Sequence, residues 1–245
     1  TNGTFPRTTE ITVTEWTKLI VPITTDVKIS WNGATAKTSQ EVMKGINFEQ
    51  TVENVKEFIR IRDEHFAKTG YYCRVTFQLT FMQNNMHELA DIVKLAAKLG
   101  VDRVKGHQLW AHFDEIKHLS MKATPESISQ WNEYVKVAHK AQEKFRKANG
   151  EKVILENIIP LQNNESKEIP ESYECPFLEK ELWVSATGKI SPCCAPDEQR
   201  NTLFFFFYIE NTSIEEVLRS DNYQNLVKNY KKIDLCKTCN MRKPK

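Results

Sequence analysis

The sequence predicts an α/β chain that gives way to a small cysteine-bearing domain of mixed α+β structure. Two patterns carry that expectation. Short strand-like runs, Val27–Trp31, Val75–Phe81, Val101–Trp110 and Val153–Ile159, alternate with amphipathic helical stretches. After a polar stretch containing Pro170, five of the six cysteines crowd into the last third of the chain. The expected organisation is an α/β domain over 1–161, a linker over 162–172 and a second domain over 173–245.

Bulk properties narrow the function classes. A 40% apolar content in 245 residues supports a sizeable core. No apolar run approaches the roughly 20 residues needed to cross a bilayer, so no membrane partner is expected. The 34 basic and 32 acidic residues leave a net charge of +2, which provides no field for nucleic acid. With no secretory leader visible and only six cysteines, disulfides are disfavoured and a cytoplasmic location is expected.

The elements follow in order. Residues Thr1–Thr4 suit a strand end with a tight turn, since Asn2 and Gly3 tolerate positive φ. A helix is expected over about 13–20, then the strand Val27–Trp31, halted by Asn32-Gly33. Val52, Val55, Phe58, Ile59 and Phe66 mark the buried face of the next helix, with Arg60, Arg62, Asp63 and Glu64 on its solvated face. The alternating run Val75–Phe81 reads as a buried strand, with Cys73 a small core residue at its start and Gln78 and Thr80 on one side.

Leu89, Ile92, Val93, Ala96 and Leu99 mark a helix closed by Gly100. A strand then leads into a loop holding His107, Gln108, Trp110 and His112. Thr124 and Pro125 have the N-cap and first-turn chemistry of a long helix through Ile128, Trp131, Val135, Ala138 and Phe145, expected to stop near Asn149-Gly150. The final strand of this domain is expected over Val153–Ile159.

In the last third, Leu182–Pro192 reads as a hairpin with Gly188 at the turn. Phe204–Tyr208 is expected as a short buried strand. Ser213 and Glu216 form a capping box, and the helix behind them is expected to send Ile214, Val217, Leu218 and Leu226 inward.

Cysteine spacing adds chemistry to this domain. Twelve residues separate Cys175 from Gly188, four separate Gly188 from Cys193, and two separate Cys236 from Cys239. The hairpin brings Cys175 and Cys193 near each other, and the CxxC closes the site after a helix. Four thiolates, Cys175, Cys193, Cys236 and Cys239, suit a tetrahedral zinc or a cubane iron–sulfur cluster, and their number alone does not separate the two. Cys194 points away from its neighbour in an extended segment, so one of the pair is a ligand, and the spacing favours Cys193.

The phrases CPFLEKELWVSATGKISPCCAPDEQR and LCKTCNMRKP resemble the auxiliary-cluster domain of radical SAM enzymes, the SPASM/twitch type. Upstream, TNGT, KISWNGATAKTSQEV, RVTFQLTFMQNN and VDRVKGHQLW resemble the later β/α units of the radical SAM barrel. The resemblance implies a partial (β/α) TIM-like barrel followed by a domain that binds an auxiliary [4Fe-4S] cluster. It implies S-adenosylmethionine (SAM) as cofactor of the full-length protein, with Asn2, Ser30, Asn32, Gln78 and Thr80 as its candidate contacts. Asn32 stands where the family has an aspartate, so no charge is offered to the SAM ribose at that position.

Catalysis in such a barrel sits at the C-terminal strand ends, which makes His107, Gln108 and His112 candidate catalytic residues. The implied partners are a peptide or small-molecule substrate and a reductant for the cluster. The family's CxxxCxxC loop, which holds the SAM-cleaving cluster, does not occur in these 245 residues. The chain is therefore expected to be the C-terminal part of a longer enzyme and not to cleave SAM by itself. A zinc-stabilised four-cysteine binding or scaffold module is the alternative.

Overall fold

In the computed structural model, the described residues are 1–5, 11–111, 113–162, 169–203, 207–239 and 241–244. They divide into two units, 1–163 and 164–245.

The first unit is built on one all-parallel sheet in the order β1 (Asp26–Ser30), β2 (Arg74–Phe81), β3 (Arg103–Gln108) and β4 (Ile154–Glu156). Thr1 lies along the free edge of β1, accepting from the Ser30 N–H at 2.8 Å. Five helices connect or flank the strands: α1 (Val13–Ile20), α2 (Ala36–Val42), α3 (Phe48–Thr69), α4 (Leu89–Leu99) and α5 (Pro125–Lys144).

Their ends follow local chemistry. Thr12, Asn47 and Thr124 cap α1, α3 and α5 through side-chain oxygens, and Gly100 closes α4 at φ +85°. The helix through Trp131 ends at Lys144, short of the expected Asn149-Gly150. Phe145 is extended there and packs against the core instead. The last strand covers only 154–156 because Asn157 turns the chain at φ +63°.

Strand parity gives the sheet two unlike faces. Val27, Ile29, Val75, Phe77, Leu79, Phe81 and Val104 are buried together with Val55, Phe58, Leu89, Ile92 and Trp131 of the helices. Trp31, just past β1, stacks on Phe77 with ring centroids 4.2 Å apart. Gly106 admits the Phe81 ring, which would lie 2.4 Å from any Cβ placed there.

The opposite face is polar. Arg103 reaches Asp26, Glu156 at 2.8 Å and Thr76 Oγ1 at 3.1 Å, and Lys105 also pairs with Glu156. Parallel sheets are ordinarily covered on both sides by apolar layers. This face instead carries a charged belt, with Lys28, Ser30 and His107 exposed beside it.

Two expectations for α3 fail. Phe66 is 45% exposed and stands edge-on to Tyr72. Arg62, expected in solvent, is buried: Asp102 accepts from it at 2.8 Å, and it also donates to the carbonyls of Cys73 and Gly100. A carboxylate forty residues later pulls this guanidinium inward against the helical pattern.

Glu88, just before α4, secures the loop that follows β1. Its carboxylate accepts from the N–H groups of Ala34 and Thr35 and from the hydroxyls of Thr35 and Thr38, at 2.5–3.1 Å. Burial pushes its pKa up, but the hydrogen bonds of Thr35, Thr38 and Ala34 outweigh that and leave it lowered. Glu88→Ala is expected to cost about 2–3 kcal/mol by stranding several donors. Urea unfolding checks the loss, and faster amide exchange at Ala34 and Thr35 locates it. Because the folded pKa is lowered, this contribution is present above the ordinary value of 4.5 and disappears as pH falls through the folded-state value.

The second unit holds two small antiparallel sheets. β5 (Tyr173–Glu174) pairs with β9 (Lys243–Pro244), while β6 (Trp183–Val184), β7 (Lys189–Ser191) and β8 (Phe207–Tyr208) form the other. Between and after them lie α6 (Asp197–Arg200), α7 (Ile214–Arg219), α8 (Asp221–Asn229) and α9 (Asp234–Lys237). The hairpin turns at Gly188, φ +76°, as expected.

The aromatic run is less buried than expected. Phe207 is half-buried and Tyr208 is 42% exposed, while 204–206 lie outside the described residues. The helix behind Ser213 also breaks, since Ser220 ends α7 and caps α8. Val217 and Leu226 reach the core with Leu178, Ile190 and Tyr223, but Ile214 and Leu218 remain exposed. Among the described residues, no helix is long and apolar enough to cross a membrane.

Candidate cluster site and sheet edge

Three segments carry the thiols of the second unit. Cys175 directly follows β5, and its N–H donates to the Tyr230 hydroxyl at 3.2 Å. Cys193 lies two residues past β7, where its carbonyl accepts from Arg200 Nη1 at 3.0 Å. Cys236 sits in α9, and the Cys239 N–H donates to its carbonyl at 3.3 Å.

The β5–β9 pair joins the outer segments by setting Glu174 opposite Lys243, next to Cys175 and a few residues past Cys239. Arg242 reinforces the join. Buried, it donates to the carbonyls of Tyr173 and Pro170 at 2.8–3.0 Å. It is therefore a fastener of the chain rather than part of a solvated tail.

All five cysteines of this unit are free and half-buried. Burial first, then the charges of Cys239, Cys193 and Cys175, push the Cys236 thiol up to about 12, with Arg242 opposing. Cys239 is pushed up to about 11 by burial, with Cys175, Cys193 and Cys194 contributing. Burial likewise raises Cys193 and Cys194. Cys175, Cys193, Cys236 and Cys239 thus lie within electrostatic reach of one another. Among the described residues, no three or more His, Cys, Asp or Glu side chains are gathered as around a single metal ion.

The raised pKa values mean that these thiols stay protonated on their own, and a bound cation would favour their thiolate forms. By its chemistry the donor set would suit an iron–sulfur group or a zinc ion. Cys193 and Cys194 both lie within electrostatic reach of Cys175 and Cys239. Cys73 belongs to the other unit, fully buried, and burial pushes it up to about 11.

In the first unit, the candidate cofactor contacts fall at one edge of the sheet. Ser30 ends β1 in register with Gln78, and Thr80 is in register with His107. Gln78 and Thr80 are half-buried on the polar face, and Gln78 Nε2 lies 3.5 Å from His107 Nδ1. Asn32 is buried, and its side-chain oxygen accepts from the Thr80 N–H at 2.9 Å, which ties the end of β1 to β2. Asn2 is exposed and accepts from the Thr4 N–H and hydroxyl in a local turn.

His107 keeps an exposed ring, although desolvation by the neighbouring strands lowers its pKa. Gln108 Oε1 is buried without a hydrogen-bond partner among the described residues. His112 lies outside the described residues. Ser30, Gln78, Thr80 and His107 therefore share one polar edge, whereas Asn32 spends its oxygen on holding that edge together. Arg103, Glu88 and Arg200 were missed from the sequence because none stands in a motif and each finds its partners through the fold.

Residues 175–240 match the family described as SPASM, an iron–sulfur cluster-binding domain, a span that includes all four expected ligands. Solved structures share the fold. "Native anSMEcpe with bound AdoMet" superposes with a TM-score of 0.56 at 14% identity, covering 98% of this chain and 61% of that one. The complex of that protein with AdoMet and Cp18Cys peptide gives 0.56 at 15% identity, over 98% and 62% of the two chains. No curated protein is significantly similar in sequence. Residues 175–240 match the SPASM domain, and the chain shares the fold of the part of anSMEcpe with which it aligns. It spans about 61% of the length of those structures.

Proposed function

We propose that this chain is part of a radical SAM enzyme, with an auxiliary [4Fe-4S] cluster held by Cys175, Cys193, Cys236 and Cys239. What supports this reading is the match of residues 175–240 to the SPASM family, together with four free, half-buried thiols carried by three segments of that span. When bound, such a cluster supplies one-electron transfer.

The chain's own residues do the holding. The β5–β9 pair and Arg242 bring the Cys175 and Cys239 segments together, and Tyr230 and Arg200 fix the backbone at Cys175 and Cys193. In the first unit, the polar sheet face is the wall of a partial barrel. On this reading, Ser30, Gln78 and Thr80, with Asn2 and Asn32 beside them, border the SAM site of the full-length enzyme. His107 and Gln108 stand where a substrate is handled, as does His112 by its place in the sequence. The peptide-bound state of anSMEcpe supports a peptide substrate.

The test is anaerobic reconstitution with iron and sulfide. The expected product is brown, with about four irons and four acid-labile sulfides per chain. A colourless protein loaded with zinc would replace this reading with a four-cysteine zinc module. The six cysteines include no CxxxCxxC triplet, so the reduced, reconstituted chain is expected to form no 5′-deoxyadenosine from SAM. Formation of that product would refute the assignment of SAM cleavage to a segment outside these residues.

A further inference from the structure

Arg200 is the unexplained charge of the second unit. It ends α6, and its side chain is only 17% exposed. Two of its three nitrogens are accounted for: Nη1 donates to the Cys193 carbonyl at 3.0 Å, and Nη2 pairs with Asp197. Its Nε–H is buried and has no acceptor among the described residues.

A buried donor without an acceptor is costly, and it signals a partner that protein atoms do not provide. Here the donor belongs to a cation fixed against the backbone of an expected ligand. Sulfur atoms of an iron–sulfur group are the acceptors that would complete it. Hydrogen bonds and positive charge at those sulfurs stabilise the reduced state, which carries one more negative charge.

We infer that Arg200 is the positioning residue that sets the reduction potential of the auxiliary cluster, with Asp197 moderating its charge. This inference rests on the cluster reading above. Arg242 also carries charge near Cys236, but its hydrogen bonds go to the Tyr173 and Pro170 carbonyls, so the role is assigned to Arg200. Neither Arg200 nor Asp197 belongs to the thiol set.

The test is a dithionite titration of the reconstituted protein, followed by electron paramagnetic resonance, with iron and sulfide measured on every sample. Arg200→Gln removes the charge and is expected to make reduction about tenfold less favourable, about 59 mV more negative for a one-electron couple. Arg200→Lys keeps the charge and should stay closer to the parent. Asp197→Asn leaves the guanidinium unopposed and should shift the potential in the positive direction.

A purely structural role for Arg200 would not produce shifts of opposite sign at the two positions. Unchanged potentials in Arg200→Gln and Asp197→Asn, with iron retained, would overturn the inference. If Arg200→Gln loses its iron, Asp197→Asn alone decides, by a positive shift or none. Failure of the parent chain to take up iron and sulfide would instead defeat the cluster reading, and is read before any variant.

Discussion

Asp102→Ala is expected to lower the unfolding free energy by about 3–5 kcal/mol, the loss typical of removing one partner from a buried ion pair. The Asp102 carboxylate is 7% exposed and accepts from Arg62 at 2.8 Å and from Lys147 at 2.9 Å. It also accepts from the Tyr72 hydroxyl at 2.6 Å and the Val75 N–H at 2.9 Å. Removing it leaves two buried cations without their shared anion. Asp102→Asn should cost nearly as much, because shape is kept while the charge is lost. Urea denaturation followed by circular dichroism measures both, and a loss below about 1 kcal/mol in each would refute the account.

The pH dependence has a definite sign. Burial pushes the Asp102 carboxyl up, but hydrogen bonds from Tyr72, Val75 and Lys147 and the Arg62 charge outweigh it and hold it below the ordinary 3.8. A depressed folded-state pKa means that the contribution is present above that ordinary value. It is lost as pH falls through the folded-state pKa. The parent should therefore lose stability in acid more steeply than either variant. The network sits where β2 and β3 begin, the end of such a sheet that ordinarily serves stability rather than chemistry.

The second large effect is expected at the thiols. Cys236→Ala should fail to retain the cluster, and its iron content after desalting should fall to a small fraction of the parent's. Because metal binding at such a site is also folding free energy, the variant should unfold at lower temperature, as should the parent after chelation. Cys194→Ala should retain iron, since Cys193 is the proposed ligand in that segment. Loss of iron from Cys194→Ala with retention in Cys193→Ala would exchange their roles. Cys73→Ala changes only core packing, because that thiol lies in the first unit.

Much of this was legible because its causes are local. Thr124-Pro125 starts α5, Gly100 ends α4, and Ser213 with Glu216 starts α7, each through groups within a few residues. The cysteine set is proposed on other grounds: a hairpin and a CxxC bring their ends together by covalent connection. Arg62 was misread because its burial depends on Asp102 and on the carbonyls of Cys73 and Gly100, which helical periodicity does not register. The break at Ser220 was missed because Ser is tolerable within a helix, and capping wins only when the following turn can pack Tyr223 and Leu226. Arg200 offered no signal, since its neighbours meet only after β7 and α6 have formed.

The ionic ladder of Asp26, Arg103, Glu156 and Lys105 has a consequence for whatever fills the space above it. Two anions and two cations cancel at contact distance, so their combined influence fades with distance much faster than that of a lone ion. A guest molecule would meet an electrically quiet floor there. Discrimination by ionic character would fall to the strand tips, and raising the salt concentration should alter little of what the floor contributes.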